Sequence, residues 1–123
     1  MGLGYYSRDL LAPALQMTQH CRLAGIVTGT PAKAETWQRR YGIPDRNIYD
    51  YASFDRIADD PDIDVVYVVL PNHLHKPVTL RAAAAGKHVW CEKPMAMDAA
   101  EARAMIDACR THRVQLAIGY RMQ

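Results

Sequence analysis

Val65-Val66-Tyr67-Val68-Val69-Leu70-Pro71-Asn72-His73, followed past an alanine-rich stretch and Gly86 by His88-Val89-Trp90-Cys91-Glu92-Lys93-Pro94, decides the fold. The first run is β-branched and does not alternate with polar residues, which is the pattern of a parallel strand buried on both faces. Pro71-Asn72-His73 punctuates it. The spacing predicts a helix over residues 76–85 with Gly86 as its stop, and a second strand over residues 88–91. Strand, helix and strand joined by short connections make a parallel βαβ unit. Glu92 and Lys93 stand where its second strand ends. A lysine there faces the crevice in which open α/β sheets bind ligands. Pro94 cannot donate to a ladder and restricts the backbone at Lys93.

The rest of the chain repeats the alternation. Leu10, Leu11, Leu15 and Met17 recur at roughly helical spacing. Residues 23–27 are a short apolar run closed by Thr28-Gly29-Thr30-Pro31, so a strand and then a turn. A helix over residues 32–40 ends at Tyr41-Gly42, and residues 48–51 form a brief edge-like strand. Ser53 is placed to cap a helix through about Ala58. Asp98 caps a long helix, with Glu101 three residues on as its capping-box partner and Met105, Ile106 and Cys109 as its apolar stripe. Residues 114–119 give a final strand. The expected architecture is one α/β domain over residues 1–123, a doubly wound parallel sheet.

Composition narrows the function. The chain has 123 residues, half of them hydrophobic and 23% charged, with a formal net charge of +2. That is one modest globular domain. No basic run or basic-aromatic stripe points to nucleic acid, and no apolar run approaches membrane-spanning length. Cys21, Cys91 and Cys109 are odd in number and lack a C-x-x-C pair, which argues against a disulfide framework and a zinc knuckle. His73 and His75 form an H-x-H, yet no carboxylate or cysteine flanks them at ligand spacing, so no metal is expected. The expected compartment is the cytoplasm, or the periplasm if an export signal precedes Met1.

Gly2-x-Gly4-x-x-Ser7 fits the dinucleotide fingerprint with serine at the third small position. The first glycine allows a tight turn, and the second lets a pyrophosphate approach the backbone. Amides at the following helix start then face the phosphates. The fingerprint calls for a strand running into Gly2, and only Met1 stands there, so the sheet is expected to lack its first strand. An NAD site usually ends its second strand with a carboxylate. Here the position reads Val27-Thr28-Gly29-Thr30, with Lys33 at the next helix start. Small hydroxyls and a cation suit a 2′-phosphate, which favours NADP, with NAD as the alternative.

Taken together, the glycine loop, Pro71-Asn72-His73-Leu74-His75, Ala85-Gly86-Lys87-His88-Val89, Glu92-Lys93-Pro94, Asp98-Ala99-Ala100-Glu101-Ala102 and Ile118-Gly119-Tyr120-Arg121 resemble the Gfo/Idh/MocA oxidoreductases. Within that family the chain is similar to the glucose–fructose oxidoreductase branch. The resemblance implies an amino-terminal Rossmann domain followed by an open-sheet α/β domain for substrate and oligomerisation, the latter absent from these residues. It implies hydride transfer between a nicotinamide and a sugar or polyol, in a full-length homo-oligomer. Lys93 would be the catalytic lysine, and Glu92 would orient it or contact the nicotinamide ribose. Cofactor contacts would come from Gly2, Leu3, Gly4, Tyr5, Tyr6, Thr28, Gly29, Lys33, Leu70, Pro71, Asn72, His75, Glu92, Lys93 and Arg121. The usual proton-transfer partner lies in an aspartate-to-histidine stretch that would follow Gln123. Two other readings stand beside this one: a nucleotide-binding module without chemistry, and an NAD-linked inositol or diol dehydrogenase.

Overall fold

The computed structural model of the protein describes residues 1–120, so Arg121 among the expected site residues lies outside the described residues. The chain folds as two compact units, residues 1–54 and 55–123.

The first unit begins with the glycine turn and a wide π-type helical turn, Tyr6–Leu11, that runs into α1, Ala12–Met17. Two short parallel strands follow, β1 (Ile26–Val27) and β2 (Ile48–Tyr49), with α2 (Pro31–Tyr41) between them. Gly42, at φ 66°, ends α2 as the glycine-stop pattern requires. Ala12, Ile26, Trp37 and Ile43 form the core of this unit. The apolar face expected of the first helix is only partly used. Ala12 is buried, while Leu10 and Met17 are exposed.

The second unit holds β3 (Val65–Val68), β4 (His88–Glu92) and β5 (Leu116–Gly119) as a parallel three-stranded sheet in that order. Helix α3, His75–Ala84, crosses from β3 to β4, and α4, Ala99–Thr111, crosses from β4 to β5. Helix α3 packs on both β3 and β4, and α4 packs on α3. Val66, Val68, Val89, Cys91, Ala82, Ala83, Met105 and Cys109 are buried by this layering. Val68 and Val89 are at most 2% exposed, so each contributes roughly 1.5–3 kcal/mol of apolar burial. The Arg81–Asp55 ion pair (2.9 Å) between exposed side chains is worth about 1 kcal/mol or less. Apolar layering, not surface charge, holds the unit.

Three expectations are corrected here. Strand β3 is not buried on both faces: Val65 is 50% exposed and Tyr67 half-buried, because α3 covers only the Val66–Val68 side. In α4, Met105 and Cys109 are buried while Ile106 stays at the surface, which makes the stripe narrower than the spacing predicted. Ser53 does not cap forward. Its hydroxyl accepts from the Asp50 N–H (3.1 Å) while the Asp50 carboxylate accepts from the Ser53 N–H, a closed turn ahead of a 3-10 segment at Phe54–Asp59.

The cap on α4 forms as read. Asp98 Oδ1 accepts from the Glu101 N–H at 2.8 Å, and Glu101 Oε2 accepts from the Met97 N–H at 3.2 Å. Glu101 also pairs with Lys76 Nζ at 3.0 Å, which ties the starts of α3 and α4. Urea denaturation of Asp98→Ala should show a loss of about 1 kcal/mol. An unchanged midpoint would mean that the cap does not carry the helix start.

Candidate cofactor and catalytic site

The glycine turn is built by its own residues. Gly2 sits at φ 85°, a conformation that a side chain disfavours. Its N–H donates to Val27 O (3.4 Å), and its carbonyl accepts from the buried Ser7 hydroxyl at 2.6 Å. Serine at the third small position is therefore more than a tolerated substitute, since its hydroxyl closes the turn. Nothing lies within 4 Å of where a Cβ on Gly4 would stand. The space over Gly4 is open to a pyrophosphate, at the start of a helical turn whose first amides point outward. Tyr5 and Tyr6 are exposed beside it and Leu3 is half-buried.

Thr28 follows β1 and is buried, and its Oγ1 accepts from the Thr30 N–H at 3.2 Å. That bond leaves the hydroxyl proton free to donate. Gly29 is exposed, with the Tyr51 ring against it. Lys33 is exposed in the first turn of α2, which holds no acidic residue. A hydroxyl donor, a cation and an acid-free helix start fit a phosphate at this point.

In the second unit the parallel ladders bring the strand ends to one edge. Leu70, Pro71 and Asn72 follow β3, with Pro71 and Asn72 exposed, and Glu92 and Lys93 end β4. The Lys93–Pro94 peptide is cis. Lys93 is exposed, and among the described residues its ammonium forms no ion pair. The expected carboxylate–ammonium bond between Glu92 and Lys93 is not what holds Glu92. Its Oε1 accepts from the Tyr67 hydroxyl at 2.5 Å, and its Oε2 lies 3.4 Å from the Lys93 backbone N–H.

His75 has a different place from the one expected. It is fully buried. Its Nδ1 lies 2.9 Å from Pro94 O and its Nε2 2.8 Å from Leu70 O. Both partners are acceptors, so a neutral ring donates to one and an imidazolium to both. The ring lies between the end of β3 and the Lys93–Pro94 turn, with one nitrogen within hydrogen-bond distance of each. His73 is exposed, so the two histidines of the H-x-H part company.

Sequence reasoning missed Tyr67. The signal was there: a lone hydroxyl inside a β-branched run needs a partner when it is covered. A cavity of about 590 Å³ lies beside β5 against Met95, Ile106, Cys109, Leu116 and Ile118. Leu116 and Ile118 face away from Gly119 and Glu92, so this groove is not the site of the Glu92–Lys93 chemistry.

The chain matches the oxidoreductase family described by an NAD-binding Rossmann fold (GFO_IDH_MocA) over residues 1–120. It belongs to that family. An aldose–aldose oxidoreductase from Caulobacter crescentus, solved with glycerol, superposes with a TM-score of 0.96 at 52% identity, over 98% of this chain and 36% of that one. Levoglucosan dehydrogenase from Pseudarthrobacter phenanthrenivorans is 41% identical over 98 residues, 78% of this chain and 24% of the relative. A 3-ketoreductase from Actinomadura kijaniata, solved with TDP-benzene and NADP, gives 0.84 at 27% identity, over 97% of this chain and 36% of that one. The chain thus spans about a quarter to a third of the length of these relatives. Among the described residues no helix is long and apolar enough to cross a membrane.

Burial, with the neighbouring Glu92 charge second, pushes the Cys91 thiol up to about 12, and burial also raises Cys109. A raised thiol pKa means little thiolate at pH 8, and thiolate is the reactive form. With a disulfide reagent at pH 8, the native chain should release one fast equivalent, from exposed Cys21. Fast reaction at Cys91 would show that β4 is not packed as described.

Proposed function

We propose that this chain is the cofactor-binding domain of an NADP-dependent oxidoreductase acting on a sugar or polyol. One observation carries the cofactor preference: β1 ends in the Thr28 hydroxyl with Lys33 on the next helix, and no carboxylate stands there. A ribose 2′-hydroxyl would find no acceptor of the usual kind, whereas a 2′-phosphate finds donors and a cation. The open space over Gly4 supports pyrophosphate binding at the turn closed by Ser7.

A bound nicotinamide would supply the hydride acceptor for oxidation of a carbinol carbon. The exposed Lys93 ammonium, unpaired among the described residues, can donate a hydrogen bond to the substrate oxygen and stabilise negative charge on it. Glu92 contributes a carboxylate at the same strand end, which would accept from a ribose hydroxyl. Pro71 and Asn72 border the cofactor from the end of β3. His75 acts behind them by holding the Leu70 and Pro94 carbonyls in place. The substrate class rests on the relatives, two of which act on an aldose and on levoglucosan by name.

Fluorescence titration of the chain with NADPH and NADH checks the cofactor, and NADPH should bind at least tenfold tighter, since loss of one good phosphate contact costs about 1.5–3 kcal/mol. Tighter NADH binding overturns it. In the oxidoreductase that carries this domain, Lys93→Ala should lower kcat with sugar and NADP by roughly 10²–10⁴-fold. A loss under tenfold, with cofactor affinity intact, would favour a nucleotide-binding module whose lysine does no chemistry.

A further inference from the structure

Glu92 is held by a clamp drawn from all three strands of its sheet. The register sets Tyr67 opposite Trp90 and Glu92 opposite Gly119. Tyr67, Trp90, Glu92 and Gly119 therefore share one sheet face, with Tyr67 diagonal to Glu92. The Tyr67 and Trp90 rings stack at 4.9 Å with a 19° interplanar angle. That stack fixes the direction of the phenol, whose hydroxyl donates to Glu92 Oε1 at 2.5 Å. On the other side the carboxylate lies flat on Gly119. A Cβ there would come within 3.0 Å of Oε1 and 3.3 Å of the carboxyl carbon.

We infer that Tyr67 and Gly119 are positioning residues for Glu92, Tyr67 by its hydrogen bond and Gly119 by its missing side chain. Glu92 needs this help because a glutamate at a strand end is otherwise free about its side-chain torsions. A carboxylate meant to meet a ribose hydroxyl or the lysine beside it works only in one orientation. The bond to Tyr67 is charge-assisted and half-covered from water, which makes it strong enough to choose one rotamer. At Gly119 the backbone is ordinary, so alanine is accepted by the strand. The nearest atoms are the far end of a movable side chain, so the cost falls on the carboxylate's position and not on the fold. The clamp itself stands on geometry alone, and its consequence for the cofactor rests on the reading proposed above.

Two measurements separate these. Without cofactor, the Tyr67 hydroxyl proton should appear as a slowly exchanging downfield proton resonance that vanishes in Glu92→Ala. No such resonance, or one that persists in Glu92→Ala, overturns the clamp whatever the cofactor reading. With cofactor, Tyr67→Phe and Gly119→Ala should each weaken NADPH roughly tenfold. Both should leave adenosine 2′,5′-bisphosphate, which lacks the nicotinamide end, unchanged. A general loss of structure would weaken both ligands, and that result overturns a positioning role. Combining Tyr67→Phe with Glu92→Ala should add nothing to Glu92→Ala alone, whereas additive losses would show that Tyr67 does not act through Glu92. If the wild-type chain binds no NADPH, the functional proposal fails while the proton resonance still decides the clamp.

Discussion

Parallel pairing in one fixed register is the constraint on which the second unit depends. Val66 lies opposite Val89 and Val68 opposite Cys91, and Val89 and Cys91 continue across to Leu116 and Ile118. Helix α3 covers the part of this face that β3 and β4 supply. A slip of one residue would turn Val66, Val68 and Val89 outward and bring Tyr67, Trp90 and Glu92 inward, burying a carboxylate at a cost of several kcal/mol. Apolar burial thus selects the register, and the register selects which residues reach the sheet's carboxyl edge. The same choice puts Tyr67 diagonal to Glu92. Function here is a by-product of where the hydrophobic layer insists on sitting.

Parallel strands need long crossovers, and the two crossovers of this unit do different work. Helix α3 begins at the fully buried His75, whose ring spans Leu70 O and Pro94 O. Helix α4 begins at the Asp98 cap, with Glu101 reaching Lys76. The turn that carries Lys93 is therefore anchored at Glu92 by Tyr67, at Pro94 by His75 and downstream by the cap. Lys93 itself stays exposed. Rigid neighbours around a free ammonium suit a group that must meet a ligand which the protein does not hold permanently.

Much of this was legible in the residues. The βαβ alternation, the Gly42 stop and the Asp98 cap follow from short-range rules, and each stands where the pattern put it. The Glu92-Lys93-Pro94 segment was recognisable because few other reasons exist to end an apolar strand with an acid, an amine and a proline. Long-range facts were not legible. Nothing local in Val65–Val68 reveals that one of its faces is open, because burial depends on which helices cover it. The burial of His75 was not legible for the same reason: an H-x-H after a strand looks like a loop motif until the second ring is seen inside. Tyr67 was passed over as one more apolar strand residue, although its hydroxyl required a partner. Ser7 was judged by its size, and its contribution is a hydrogen bond.

The central proposal is that the chain binds NADP, with contacts from the glycine turn and the Thr28–Lys33 segment in the first unit and from Pro71, Asn72, Glu92 and Lys93 in the second. Amide chemical-shift mapping of the chain with NADP tests it most directly. The account predicts shifts concentrated at residues 2–7, 28–33, 70–75 and 91–93, with the groove beside β5 unmoved. Shifts confined to Ile106, Cys109, Leu116 and Ile118, or none at saturating cofactor, would contradict it.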